Sequence, residues 1–252
     1  MKSFPLFALT AFAVICLTAP AIAQSQQPTI HQIRYYHIRP DRMADFQDAV
    51  KDFNVALKKA NGQHPYTIWS PLSGDTREFV RSDFYSKWSD LNSAPVNQEA
   101  ELVRATARIL SCTDDSRTVI VRIDPAASLP LPETPPPMIY IDWNQVQAGK
   151  GPDFHRLLRE DALPAMKKAG VKAYLVGQTT FGDTAQRFEI VIGINDWSYF
   201  DGLTLLEKGM GRDAAMQFFT KRAALLAKRE QQIYRYRPEL SYLSASQQAA
   251  QR

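Results

Sequence analysis

The chain has 252 residues, a formal net charge of +4 and two cysteines. This mild charge argues against nucleic-acid binding, which normally shows clustered Lys and Arg residues with interleaved aromatics. One cysteine lies in a predicted export signal, so Cys112 has no internal disulfide partner and the fold must be held by its core. The length allows one large domain or two of about 100 residues.

The first residues, MKSFPLFALTAFAVICLTAPAIAQ, have the order of an export signal. An apolar run from Phe4 to Leu17 follows one basic residue, and the small-residue pattern of a cleavage site ends at Ala23. The run is too short for a membrane span of about 20 residues. We therefore predict a signal peptide over 1–23 and a periplasmic or secreted protein that is free of the membrane after cleavage.

The rest of the sequence contains two similar halves. Four pairs of matches occur in the same order and about 108 residues apart, which indicates a duplicated unit. We predict a first half over 29–124, a proline-rich linker over 125–137, a second half over 138–240 and a polar tail over 241–252. The pairs are Phe46 with Phe154, KKANG (58–62) with KKAGV (167–171), Gly-Asp-Thr at 74–76 with 182–184, and Trp88 with Trp197.

Each half predicts the element order β-α-β-β-α-β of a ferredoxin-like unit. In the first half the strand HQIRYYHI precedes a helix that begins near Pro40, and YTIWSPL and EFVRSDF flank the Gly-Asp-Thr turn. A second helix and the strand RTVIVRI complete this half. The second half has MIYIDWN, a helix with a kink at Pro164, AYLVGQT, RFEIVIGI, a helix that extends to Arg229, and QQIYRYR.

One such sheet leaves exposed edges, whereas two in tandem can pair their edges into a closed barrel with the helices outside. The aromatic first strand, the glycine turn and the Trp after the third strand resemble the dimeric α+β barrel superfamily. Within it, the sequence is similar to the NIPSNAP and antibiotic-biosynthesis-monooxygenase-like groups. The resemblance implies an α+β fold in which two tandem ferredoxin-like units close one barrel, and it leaves open a monomer or a homodimer.

Side chains alternate across a strand, so one face of each strand should meet the helices and the other the barrel interior. Assigning the more apolar face to the helices predicts an aromatic and charged interior, which suits a planar or anionic small molecule. A solid ion-pair network is an equally good interpretation. The predicted ligand-binding residues are Arg34, Trp69, Arg81, Arg122, Tyr140, Asn144 and Gln178. The predicted acid/base residues are Asp142, Asp83, Glu189, Tyr36 and Tyr174, since burial raises carboxyl pKa values.

No other chemistry is indicated. The sequence predicts no metal site and no cofactor, because no histidine pair has metal-binding spacing, and it lacks a Gly-x-Ser-x-Gly elbow, a phosphate-binding loop and Cys-x-x-Cys. The family resemblance implies one weaker alternative, a heme-binding barrel with His155 as the ligand.

The leading interpretation is an exported barrel that binds a small aromatic or anionic compound. The sequence leaves open whether it is also a cofactor-independent enzyme. The alternative is a non-catalytic interaction or structural protein that uses residues 196–206 as a partner surface, although Trp197 and Phe200 are expected to be core anchors there.

Overall fold

The computed structural model describes residues 27–60, 62, 64–93, 99–184, 186–244 and 247. The predicted signal peptide lies outside these residues. Within them, no helix combines the length and the apolar character that crossing a bilayer requires.

The first half contains four strands and two long helices. Helix α1 is amphipathic, and its buried residues Phe46, Val50, Phe53 and Leu57 recur at helical spacing. The elements are β1 (Ile30–Ile38), a 3-10 turn (Pro40–Arg42), α1 (Met43–Lys59), β2 (Tyr66–Pro71), β3 (Glu78–Tyr85), a 3-10 turn (Trp88–Ser93), α2 (Ala100–Ser111) and β4 (Thr113–Ile123).

The second half repeats this order with a divided first helix. A π-helical turn, Leu158–Ala162, lies just before Pro164, because proline lacks the N–H of a regular helical hydrogen bond. The sequence predicts a kink at this position, and the structure has the π-helical turn there. The last helix ends at Leu225, so Arg229 lies on a strand and the predicted extent of that helix is wrong. The elements are β5 (Met138–Val146), α3 (Gly151–Leu157), α4 (Leu163–Lys168), β6 (Tyr174–Phe181), β7 (Arg187–Ile194), a 3-10 turn (Trp197–Phe200), α5 (Leu205–Met210), α6 (Arg212–Leu225) and β8 (Leu226–Tyr236).

The eight strands form a closed antiparallel barrel in the order β1-β3-β2-β8-β5-β7-β6-β4. Each half contributes four neighbouring strands, and the halves join where β2 pairs with β8 and β4 pairs with β6. Closure gives every strand two partners and removes the exposed edges of the separate units. The predicted α+β fold is confirmed.

The two Gly-Asp-Thr segments are hairpin turns, as the sequence predicts. Gly74 and Gly182 have φ angles of 73° and 86°, in the left-handed region that favours glycine. The Asp75 side chain accepts a hydrogen bond from the backbone N–H of Arg77 at 2.9 Å. These residues therefore serve the turn.

The predicted assignment of strand faces is wrong at most positions. Of the predicted ligand-binding and acid/base residues, only Trp69 and Glu189 lie on the inner face. Both faces of a closed barrel are buried, so the more apolar face need not be the one that meets the helices. The inner face carries Ile33, Tyr35, Trp69, Val80, Val119, Val121, Ile139, Ile141, Trp143, Tyr234 and Tyr236. The outer face carries Arg34, Tyr36, Arg81, Asp83, Arg122, Tyr140, Asp142, Asn144, Tyr174 and Gln178.

Candidate functional site

A pocket of about 370 Å³ lies between the outer face of the second-half strands and the helices that cover them. It brings together three of the predicted site residues, Tyr140 and Asp142 on β5 and Tyr174 on β6. Helices α4 and α6, the π-helical turn before α4 and the segment 199–206 form its other walls. We call it the sheet–helix pocket.

Asp142 is held by two arginines in this pocket. Arg222, from α6, donates from Nη2 to Asp142 Oδ2 at 2.6 Å. Arg229, on the neighbouring strand β8, donates from Nε to Oδ1 at 2.9 Å and from Nη2 to Oδ2 at 2.7 Å. The Asn144 side chain accepts a further bond from Arg222 and donates to the Asp142 backbone carbonyl at 2.8 Å. One carboxylate therefore faces two guanidinium groups.

Arg222 has unused hydrogen-bonding capacity. Its side chain is only 8% exposed, and its Nε–H has no hydrogen-bond partner among the residues that the structure describes. A buried donor without an acceptor costs on the order of 1–3 kcal/mol. Arg229, in contrast, is partly exposed and bonds the Tyr140 hydroxyl at 3.2 Å. The pocket thus has an excess positive charge and an unpaired buried donor.

The remaining walls of the pocket are mostly apolar, and several of their side chains are aromatic. The centroid of the Tyr140 ring lies 6.3 Å from that of Tyr199 and 6.0 Å from that of Phe200. Phe218 and Phe219 line the pocket from α6. Burial raises the pKa of Tyr140 to about 12 and raises the pKa values of Tyr174 and Tyr199 as well. These phenols stay protonated near neutral pH and are available as hydrogen-bond donors.

The corresponding region of the first half is filled by side chains. Arg81 Nη2 lies 2.6 Å from Asp83 Oδ1, and the Arg81 guanidinium lies 3.8 Å from the centre of the Tyr66 ring and 5.5 Å from that of Phe53. Tyr36 packs in the same core, and Arg34 bonds Thr118 at 3.4 Å. Arg81 and Asp83 therefore form an ion pair packed under α1.

Two further predicted residues, Arg122 and Gln178, lie on the outer face of the barrel where β4 of the first half pairs with β6 of the second. Arg122 is exposed and pairs with Gln178 across β4 and β6. His155, on α3, contacts Gln178 Oε1 through Nε2 at 3.3 Å and Asp124 Oδ2 through Nδ1 at 3.1 Å. Both ring nitrogens thus contact protein oxygens, so His155 as placed does not fit the role of a heme ligand. The described residues also hold no cluster of His, Cys, Asp and Glu that suits a metal ion.

Inside the barrel, a separate cavity of about 190 Å³ contains Glu189 and Trp69. His31 lies beside Glu189, with its Nδ1 atom 4.0 Å from Glu189 Oε2, and both side chains are about 5% exposed or less. Burial raises the pKa of Glu189 to about 8 and lowers the pKa of His31 to about 3, so both groups are uncharged near neutral pH.

No protein-family model and no curated protein matches this sequence. The structure is nevertheless similar to solved structures over most of its length. A proposed monooxygenase from Lactobacillus acidophilus has a TM-score of 0.60 at 6% identity, with 83% of this chain and 94% of that chain covered. A proposed monooxygenase from Fusobacterium nucleatum gives 0.60 at 10% identity, covering 83% and 93%. An anthrone oxidase-like protein gives 0.58 at 10% identity, covering 84% and 92%.

The chain has the dimeric α+β barrel fold. The fold that the sequence resemblance implied is thereby confirmed, and a single chain supplies both halves of this α+β barrel.

Sequence reasoning missed three residues of the two cavities in this α+β barrel. Arg222 follows Ala215 and Phe218 on the buried face of α6, and this helical spacing could have revealed it. Arg229 falls within the predicted last helix, whereas in the structure it lies on β8. His31 lies two positions before the inward-facing Ile33 and therefore on the same face of β1, so strand parity reveals it once the inner face is known.

Proposed function

We propose that the protein binds a small aromatic anion, such as an aromatic carboxylate, in the sheet–helix pocket. The observation that carries the proposal is the buried Arg222 Nε–H, which lacks a partner in a pocket walled by aromatic rings. A ligand carboxylate would accept this hydrogen bond, and Arg guanidinium groups match carboxylates well.

The charges of the pocket favour one bound anion. Asp142 neutralises one of the two guanidinium groups, and a ligand anion would neutralise the other. Buried charges are stable only when they are paired and hydrogen-bonded. A bound aromatic anion therefore completes both the charge balance and the hydrogen bonding of Arg222.

The size of the pocket fits a compound of a few fused rings. Its volume of about 370 Å³ lies at the lower end of the range of roughly 300–1,000 Å³ that is typical of small-molecule sites. The rings of Tyr140, Tyr199 and Phe218 offer flat or edge contacts to such a compound.

Any chemistry in this pocket would rely on hydrogen-bond donors. Asp142 is fully occupied by Arg222 and Arg229, so it serves as an anchor for them and not as a free base. The protonated hydroxyls of Tyr140 and Tyr174 and the guanidinium groups would stabilise negative charge that develops on a bound aromatic oxygen. This arrangement favours a cofactor-independent reaction of an aromatic compound, in line with the oxidase-like and monooxygenase names of the structural neighbours.

We also propose that the protein acts outside the cytoplasm, because residues 1–23 have the order of an export signal. Edman sequencing of the mature protein tests this, and the N-terminus should match the sequence after Ala23. A mature chain that still begins at Met1 would contradict it.

A second function is favoured by one specific surface. Trp197, Phe200 and Leu203 are about half exposed, and Phe200 and Leu203 line the pocket, so the expectation that the two aromatics are core anchors is wrong. Exposed apolar side chains in a cluster mark interaction sites. This surface favours a partner-binding role, either in addition to ligand binding or in place of it.

The material that copurifies with the protein distinguishes these two functions. Native mass spectrometry of protein purified from its own compartment, followed by denaturing extraction, should release a small aromatic acid in about one-to-one ratio. Recovery of a stable complex with another protein, without any small molecule, would favour the partner-binding function.

A further inference from the structure

The cavity inside the barrel is a second site, separate from the sheet–helix pocket. Glu189 and Val191 point into the barrel, whereas Ile190 and Ile192 of the same strand face the helices. The β-sheet therefore lies between the two spaces, and Tyr174, at the start of β6, borders both of them.

The cavity presents a polar pair in apolar surroundings. Its walls include Ile33, Val80, Phe84, Ile139 and Val191, and its mouth is bordered by the linker residues Leu131, Pro132, Pro135 and Pro136. The ring of His31 stacks on Phe84 with centroids 4.4 Å apart, which fixes the plane of the imidazole. Neither ring nitrogen of His31 is hydrogen-bonded to any residue that the structure describes.

Stability of the fold does not explain a buried polar pair of this kind. Unpaired buried polar groups destabilise a fold, whereas apolar residues of similar shape would pack without that cost. The separation of 4.0 Å between His31 Nδ1 and Glu189 Oε2 is too long for a hydrogen bond. The two side chains therefore retain their hydrogen-bonding capacity for a third group in the cavity.

We propose that the barrel cavity binds a neutral, planar small molecule with one enolisable or hydroxyl group, and that Glu189 exchanges a proton with it. In its ionised form, Glu189 takes a proton from the ligand, which leaves a ligand anion and a carboxylic acid. The neutral His31 imidazole donates its single N–H to that anion. Glu189 then returns the proton to the same atom or to a neighbouring one, so the step needs no oxidant, reductant or metal.

The surroundings of Glu189 support this role. A pKa near 8 places the carboxyl close to the neutral pH at which acid/base groups are most effective. The positive charge of Arg187, on the same strand, opposes the rise in the pKa of Glu189 that burial causes. Tyr35 on β1 and Tyr234 on β8 also interact electrostatically with Glu189, and these tyrosines in turn interact with Glu78 on β3 and Arg117 on β4.

The size of the cavity limits the ligand to about one or two rings. A dry cavity of about 150 Å³ accommodates benzene, and this one measures about 190 Å³. The neutral pair and the apolar walls disfavour an anion, so the ligand class differs from that of the sheet–helix pocket.

The test uses 2-indanone, a planar neutral ketone with two fused rings. Its binding is followed by the fluorescence of the inward-facing Trp69 and Trp143, and its proton exchange by deuterium uptake from heavy water in NMR spectra. The unaltered protein should accelerate uptake above the rate in buffer, more strongly as the pH rises toward about 8. Glu189→Gln should bind 2-indanone with similar affinity but lose the acceleration, by roughly a hundredfold or more.

Two more variants complete the experiment. His31→Phe keeps a ring stacked on Phe84 but removes the donor, so uptake should slow while the protein stays folded. Glu101→Gln, the same change at an exposed glutamate of α2 that pairs with Lys59, should behave like the unaltered protein. Failure of the unaltered protein to bind 2-indanone or to accelerate uptake, or full acceleration by Glu189→Gln, would overturn the proposal. Loss of anion binding in the sheet–helix pocket would leave it intact.

Discussion

Arg222 and Asp142 join helix α6 to strand β5 through a hydrogen bond of 2.6 Å between Arg222 Nη2 and Asp142 Oδ2. Both side chains are less than 10% exposed. The pair fixes the guanidinium at the floor of the sheet–helix pocket, with its Nε–H left over for a ligand. This relationship underlies both the stability and the proposed binding of the second half.

Asp142→Asn should destabilise the protein by about 3 kcal/mol, because it leaves two arginines without their counter-ion in a buried site. The free energy of unfolding from urea titration measures this. Asp161→Asn, which alters a partly exposed ion pair with Lys221, is the control and should change stability by less than about 1 kcal/mol. Equal effects of the two substitutions would contradict the assigned role of Asp142.

The His31 and Glu189 pair gives stability a specific pH profile. Burial lowers the pKa of His31 from 6.5 to about 3 and raises that of Glu189 from 4.5 to about 8. Between pH 3 and 4.5 the unfolded state holds an extra proton on His31, so stability rises with pH. Between pH 4.5 and 6.5 the folded state holds an extra proton on Glu189, and the two slopes oppose each other. From pH 6.5 to 8 only Glu189 contributes, and stability falls by up to about 1.4 kcal/mol per pH unit.

Glu189→Gln should therefore remove the fall in stability between pH 6.5 and 8. His31→Phe should keep that fall but remove the rise between pH 3 and 4.5. Urea unfolding of both variants and the unaltered protein at several pH values gives the difference curves. A difference curve for Glu189→Gln that is flat from pH 6.5 to 8 would show that Glu189 is already ionised in the folded state.

Gly177 leaves room for the packing of Val121 inside the barrel, directly across from Glu189 on β7. A Cβ atom at residue 177 would lie 2.2 Å from Val121 Cγ1. Gly177→Ala should thus destabilise the protein by about 1–3 kcal/mol through overpacking. In a double-mutant cycle, Val121→Ala should relieve part of this loss. Gly151→Ala, where a Cβ meets open space, is the control; an equal loss there would contradict the overpacking.

The sequence was sufficient to predict the fold because periodicity, turn residues and the internal repeat all reflect local or pairwise constraints. The Gly-Asp-Thr turns and the aromatic strands indicated two ferredoxin-like units, and closure follows from the need to pair their edges. These features do not depend on which side of the sheet faces inward.

The site could be predicted only in part, because strand alternation sorts residues into two faces without saying which face is inside. Strand parity predicts Asp142 as an interior acid, but Arg222 from a helix and Arg229 from a strand that is distant in sequence neutralise it on the outer face. Contacts of this kind join residues about 80 or more positions apart. Glu189 lies on the inner face, as its strand parity predicts, and its acid/base role stays a prediction.

The most direct test of the proposed function compares 2-naphthoate with its neutral isostere 2-naphthamide by isothermal titration calorimetry. The unaltered protein should bind the carboxylate at least about tenfold more tightly, since a charged hydrogen bond to Arg222 distinguishes the two ligands. Arg222→Gln should abolish the preference, while Lys221→Gln, which removes the same charge from the exposed neighbouring position, should preserve it. Equal binding of the two ligands, or a preference that survives Arg222→Gln, would contradict an anion site in the sheet–helix pocket.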